Sequence, residues 1–299
     1  MRKKKWPPAE LILLVVVGFF WALTSLPIGK DTLLSPNDLG RVGTSVLRQP
    51  PIRHYFNFYE PTANLYQPVN KPAPRNLRVP ILMYHHVGYS PANDRIRIGL
   101  TVSPADFHAQ LGWLQMSGFQ AITLRDLYLG LEYGHALPAK PVIITFDDGY
   151  QDNYTEALPV LKSFGDKATF FIISGLVGGS DYMDWGELMA AHDQGIEIGS
   201  HSVTHPDLAV VRDGRLDWEL QESKALIEAN LRSPVYFFAY PSGKFDAVTE
   251  ARAHAAGYLM AVTTNPGVHE RNDQLLEIPR IRVSGGEPLQ RFIEAVETP

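Results

Sequence analysis

Apolar residues along this chain fall into two alternating patterns. Short runs rich in β-branched and aromatic residues cover 79–84, 142–146, 168–173, 196–200, 235–239 and 258–263, with a last one around 276–283. Such unbroken runs predict strands buried on both faces. Between them lie stretches with apolar positions three or four apart. Ser103 as N-cap and Pro104 at the first helical position predict a helix carrying Phe107, Leu111 and Leu114 on one face and closed by Gly118. Leu158, Leu161 and Phe164 mark another. Asp184-Trp185-Gly186-Glu187 has capping-box spacing and predicts a helix running to His192. Longer amphipathic stretches over 216–231 and 247–256 complete the set.

Strand and helix alternate, which predicts an α/β protein with a parallel sheet. Each polar cluster sits just after a strand, at its C-terminal end: His85-His86, Asp147-Asp148-Gly149, His201 to His205, and Tyr240-Pro241-Ser242-Gly243. In a β/α barrel those ends form one face, and catalytic groups gather there.

The 299 residues suffice for one large domain or two small ones. The net charge of -5 lacks the basic surplus of a nucleic-acid binder, so no nucleic-acid partner is expected. Cys is absent, which removes disulfides, thiolate ligands and a Cys nucleophile, and leaves His and carboxylate ligation for any metal.

The N-terminus changes the picture. Arg2-Lys3-Lys4-Lys5 precedes an uncharged apolar run over 11–26, the pattern of a signal anchor or a cleaved signal peptide. No small-x-small site stands around Ala22-Leu23-Thr24-Ser25, which favours the anchor. Either form puts the remainder outside the cytoplasm, membrane-anchored or secreted. The expected division is 1–28 anchor or signal, 29–76 Pro-rich linker and 77–299 domain. Within the linker, Tyr55-Phe56-Asn57-Phe58-Tyr59 is either a docking element or an adhesive loop.

Two carboxylates at the end of an apolar strand are costly to desolvate unless a cation or hydrogen bonds hold them. Adjacent Asp side chains on a strand point to opposite faces, so both serve one site only if the strand ends or twists there. An isolated Asp-Asp-Gly is often just a solvated turn. Here His201-Ser202-Val203-Thr204-His205-Pro206 supplies two His four apart, in a loop or single turn given Pro206. With a strand-end Asp they make a two-His-one-carboxylate set, which leaves metal positions open for water and substrate.

Thr145-Phe146-Asp147-Asp148-Gly149, His201-Ser202-Val203-Thr204-His205-Pro206 and Phe238-Ala239-Tyr240-Pro241-Ser242-Gly243 resemble the first three motifs of the polysaccharide deacetylases. These are metal-dependent carbohydrate esterases with a NodB-type domain, so the resemblance implies a distorted (β/α)7-type barrel over 77–299. It implies that Asp148, His201 and His205 hold one divalent metal, zinc by preference, with cobalt, nickel or iron as alternatives. Asp147 would be the general base, and the backbone N–H of Ser242 would face the oxyanion. The acid His that most members carry near the C-terminus has no match, since His269 sits in a polar loop. His85 is the better candidate, as in the circularly permuted branch that de-N-acetylates poly-N-acetylglucosamine; His86 would face away.

Where many members carry an Arg directed at the base, this chain has Ala239, and Arg280 and Arg282 are the candidates to replace that charge. Tyr150, Trp185 and Tyr240 are candidate sugar-stacking walls, buried packing being the more ordinary role for Trp185. The resemblance therefore implies metal-dependent N-deacetylation of an extracytoplasmic N-acetylated glycan. An O-acetyl esterase or other C–N hydrolase on the same scaffold, and a non-catalytic glycan-binding relic, stand as alternatives.

Overall fold

The computed structural model describes residue 73 and residues 75–90 and 93–298, all within the compact unit Pro68–Pro299. The predicted anchor, nearly all of the linker and its aromatic cluster lie outside the described residues. Among the described residues no helix is long and apolar enough to cross a membrane.

In chain order the elements are β1 (Asn76–Arg78), β2 (Ile81–Tyr84), β3 (His86–Val87), α1 (Arg95–Leu100), β4 (Thr101–Val102), α2 (Pro104–Met116), β5 (Gln120–Ala121), α3 (Leu124–Tyr133) and β6 (Pro141–Phe146). A π-helical turn at Asn153–Ala157 then runs into α4 (Leu158–Phe164). After it come β7 (Thr169–Ile172), α5 (Trp185–Asp193), β8 (Glu197–Ser200), α6 (Asp213–Leu231), β9 (Phe237–Ala239), α7 (Ala247–Ala255), β10 (Met260–Val262), β11 (His269–Arg271), β12 (Ile281–Arg282) and α8 (Leu289–Glu297).

The main sheet has the order β10-β9-β8-β7-β6-β2-β12, with β5 added to β6, and every pairing in it is parallel. It is a half-barrel rather than seven even β/α repeats. The expected last strand over 276–283 is not one strand. Its first part lies against β10 through the parallel bridge Val262↔Ile278, and its second part pairs with β2 in the register Ile281↔Leu82. One segment thus joins the two edges of the half-barrel and bends at Pro279-Arg280 as it changes partner.

Period-2 alternation sorts the core. On β6, Val142, Ile144 and Phe146 join the outer layer with Phe107, Leu111, Leu158 and Leu161 of the covering helices. Ile143 instead joins the inner layer with Ile81, Phe171, Phe237, Met260 and Val262. Residues of α3 (Leu124, Leu127, Tyr128, Leu131) complete that inner layer. The Glu197 carboxylate at the start of β8 accepts from the Leu124 and Arg125 amides, so α3 begins against the strands' N-terminal ends.

The predicted caps form as their chemistry requires. The Ser103 hydroxyl accepts from the Asp106 amide with Pro104 in the first turn, and Asp184 and Glu187 cap α5 reciprocally. The hydrophobic pattern does not announce α1, α3, α8 or the small pairs β1–β11 and β3–β4. For α3 the missed signal is legible afterwards: Thr123 and Asp126 form a second capping box.

Candidate active site

The strand alternation that sends Ile143 and Thr145 inward sends Asp147 inward as well. Its amide still donates to the Tyr84 carbonyl (3.0 Å), so it is held as an extension of the β6–β2 ladder. The chain then turns sharply. Asp148 and Gly149 take successive left-handed conformations, φ 76° and 79°, which swings the Asp148 side chain back towards the side Asp147 faces. That turn is how neighbouring carboxylates come to serve one site. Gly149 is the residue suited to it; Asp148 accepts strain of order 1 kcal/mol or more.

Asp147 is buried, and its two oxygens accept from Nη1 and Nη2 of Arg280 at 2.7 Å each. Arg280 is itself buried, fixed by Nε donating to the Thr263 carbonyl (2.8 Å) and Nη1 to the Thr145 hydroxyl (3.0 Å). It enters at the bend of the seam-closing segment. Burial pushes the Asp147 carboxyl up, but the Arg280 guanidinium outweighs burial and holds it well below the ordinary carboxylate range. Of the two candidate arginines, Arg280 alone pairs with Asp147; Arg282 is exposed and acts on His85 instead.

His201 follows β8, its amide donating to the Ile172 carbonyl (2.8 Å). Its Nδ1 donates to the Ala239 carbonyl (2.7 Å), which fixes the tautomer and leaves Nε2 with a lone pair facing Asp148. The distances from Asp148 Oδ1 are 3.4 Å to His201 Nε2 and 3.6 Å to His205 Nε2. Three ligands about 2.1 Å from one ion at tetrahedral angles sit about 3.4 Å apart, so the set has the dimensions of a metal site. Burial lowers both imidazoles, so each presents a free lone pair, and it raises the Asp148 carboxyl, with Asp147 adding to that rise. A buried carboxyl and two neutral imidazoles converging in this way suit a divalent cation, and the donor set fits one.

The loop that carries His205 is held by a residue that no motif in the chain marks. Glu219, buried within α6, accepts from the Val203 amide (3.0 Å), the Thr204 amide (2.9 Å) and the Thr204 hydroxyl (2.6 Å). Ser202 and His205 both have positive φ, and the Ser202 hydroxyl accepts from the His205 amide. From the other side Gly175 donates to the Val203 carbonyl so closely that an added Cβ would lie 2.5 Å from that oxygen.

His85 leaves β2 beside Asp147 and Arg280. Its carbonyl accepts from Asn153 Nδ2 (2.7 Å), and its own Nδ1 is buried without a partner. Burial lowers the imidazole to about 4; Asp147 works against that, and Arg280 and Arg282 with it. His86 turns the other way, bonded through Nδ1 to Asp152 (2.7 Å) and stacked on Tyr150 at 3.6 Å.

Tyr150 remains part-exposed and hydrogen-bonds Asp148. Ser242 follows β9 with φ 52° and is exposed. Trp185 is half-buried against the outer core layer. Tyr240 is not a wall for a sugar: it is fully buried, its ring stacked on Phe245 at 4.5 Å. A cavity of about 680 Å³ lies elsewhere, lined by Phe119, Leu137 and Phe164 among others and by none of these residues.

A family model for polysaccharide deacetylase matches residues 134–261. The Bacillus subtilis protein YxkH, classed as a polysaccharide deacetylase, is 34% identical over 221 residues, covering 74% of this chain and 77% of its own length. The poly-β-1,6-N-acetyl-D-glucosamine N-deacetylase of Escherichia coli K12 is 24% identical over 271 residues and 76% of this chain, which spans only 40% of that protein. Among solved structures, the Streptococcus pyogenes deacetylase PplD in complex with acetate superposes with a TM-score of 0.69. It is 28% identical and covers 75% of this chain and 100% of its own. Half-barrel, convergent Asp-His-His set and relatives agree, and the chain belongs to the polysaccharide deacetylase family, hydrolases of N-acetyl amide bonds.

Proposed function

We propose that this chain removes acetyl groups from an N-acetylglucosamine-type polysaccharide outside the cytoplasm, with Asp147 as base and His85 as acid. The observation that carries the reading is the two-point Arg280–Asp147 pair set directly beside the Asp148, His201 and His205 donors.

Each residue has a task that follows from its surroundings. Arg280 occupies one lone-pair direction on each Asp147 oxygen, which leaves the others free to accept a proton from the attacking water. A carboxylate held so low is a weak base, and the two-His-one-carboxylate set answers that: a divalent cation there, zinc by donor type, would acidify the water and polarise the acetamide carbonyl. The backbone N–H of Ser242 is offered to the developing oxyanion. His85 stands neutral in the resting site and gains basicity as negative charge builds at the tetrahedral centre; the proton that Asp147 takes from the water passes to His85 and from it to the departing amine, which restores both groups. Tyr150 supplies an aromatic wall beside Asp148. The extracytoplasmic assignment rests on the basic flank and apolar run at the N-terminus.

The test is acetate release from N-acetylglucosamine oligomers against O-acetylated sugars of the same length. Release from the N-acetylated oligomers is expected. Release from the O-acetylated sugars alone overturns the reading in favour of an esterase, and a protein that neither contains nor rebinds metal overturns it in favour of a glycan-binding relic.

A further inference from the structure

Beside the Asp148 turn stands a short wall that the roles above do not use up. Tyr150 and Tyr182 stack at 5.2 Å across an antiparallel bridge, and the guanidinium of Arg97 lies 5.8 Å from the Tyr150 ring centre. Arg97 comes from α1, the helix that the sequence pattern did not announce. Its backbone is committed: the Asp94 side chain accepts from the Arg97 amide, and the Arg97 carbonyl accepts from the Thr101 hydroxyl (2.6 Å). Its guanidinium has no ion-pair partner among the described residues, and the side chain is only part-buried. The carboxylates that act on the same two tyrosines are Asp148, which belongs to the donor set, and exposed Asp181. A second arginine without an ion-pair partner among the described residues, Arg282, stands exposed beside His85. Among the described residues, the charged side chains bordering the reacting centre without an ion-pair partner therefore include two arginines, Arg97 and Arg282, and the exposed carboxylate of Asp181, which acts on Tyr182.

Toward a neutral sugar a guanidinium makes hydrogen bonds to hydroxyls only; toward a carboxylate the bonds are charge-assisted on both sides and stronger. Arginine presents a planar fork that fits a carboxylate, and the Tyr150 ring 5.8 Å away attracts its charge without neutralising it. We infer that Arg97, laid over Tyr150, is a specificity-determining residue that binds a negatively charged substituent on the sugar next to the acetamide. The preferred substrate is then an anionic glycan in which N-acetylhexosamine neighbours a carboxylate-bearing sugar. This rests on the deacetylase reading and narrows its substrate class. The Arg97 contact acts on binding, so its effect falls chiefly on KM.

Two size-matched tetrasaccharides test it with the full zinc-loaded chain: one of N-acetylglucosamine alone, the other alternating N-acetylglucosamine with glucuronic acid. Acetate release is followed at low and high salt. The wild type is expected to favour the anionic substrate by about tenfold in kcat/KM at low salt, and the preference shrinks as salt screens it. Arg97→Gln is expected to lose that preference through KM, and Arg97→Lys to keep part of it. An equal preference in wild type and Arg97→Gln, or equal losses on both substrates, overturns the inference and leaves Arg97 as packing for Tyr150. No acetate from either substrate overturns the deacetylase reading, and this inference falls with it.

Discussion

Replacing Arg280 with methionine removes the cation from a buried carboxylate while filling much of the same space. The wild-type guanidinium makes four hydrogen bonds, two to Asp147 at 2.7 Å and one each to Thr263 and Thr145. Thr145 keeps its bond to the Leu82 carbonyl, so the main loss is an uncompensated charge on Asp147. Breaking a buried pair from one side costs about 3–5 kcal/mol. In a domain of this size each kcal/mol moves Tm by about 2–4 °C, so a drop of roughly 6–20 °C is expected near neutral pH. The sign of the pH dependence follows from the pKa directions. In the wild type the folded Asp147 pKa lies below its unfolded value, so its contribution is present above that value and lost only in strong acid. In Arg280→Met burial dominates over the smaller opposing effects of His201 and His85, the folded pKa rises above the unfolded one, and the cost grows as pH rises. Melting curves with chelator present should therefore show a narrower gap at pH 4.5 than at pH 7.5. Asp147→Asn in the same background should recover most of the lost Tm. Equal losses at both pH values with no recovery would refute the charge argument and assign Arg280 to packing at Thr145 and Thr263.

Three further variants have defined outcomes. Asp147→Asn should abolish turnover with metal content retained, as measured by elemental analysis; loss of metal in that variant, and not in Asp148→Asn, would exchange the two roles. His85→Gln should lower kcat about 100-fold or more while metal stays bound. Because burial lowers His85 to about 4 from an ordinary 6.5, its neutral form contributes stability above pH 6.5 that is lost as pH falls towards 4; melting of His85→Gln should lose less over that window. Glu219→Ala frees the Val203 and Thr204 amides and should weaken metal affinity by about 10–100-fold in competition with a chelator, although Glu219 is not among the three donors.

What could be read in the chain, and what could not, divides along physical lines. Asp147, Asp148, His201 and His205 stood out because each follows an apolar strand, where a polar group needs a reason. Arg280 and Arg282 were equal candidates, since both lie in one run and their separate fates depend on a bend at Pro279-Arg280 that period alone does not show. Glu219 was invisible: a Glu in a long amphipathic helix looks solvated, and only the packing of α6 under the 202–204 loop makes it a buried acceptor. Tyr240 read as a wall because it follows a strand, but its ring turns onto Phe245. The half-barrel in place of regular repeats has the same origin, because hydrophobic runs announce strands and not their closure. Asp148, Ser202, His205 and Ser242 all carry positive φ without being glycine, so the turns that aim the site run against local preference and owe their shape to tertiary contacts.

The bend that admits Arg280 ties the reaction to the order in which the chain is made. Asp147 leaves the ribosome 133 residues ahead of the guanidinium that holds it ionised. Until the 275–283 segment follows and joins β10 to β2, the half-barrel is unsealed and its buried carboxylate has no counter-charge. Sealing the sheet and fixing the base in place are then one event, so a nascent or C-terminally clipped chain can own every donor of the metal site while its Asp147 stands unpaired and unoriented.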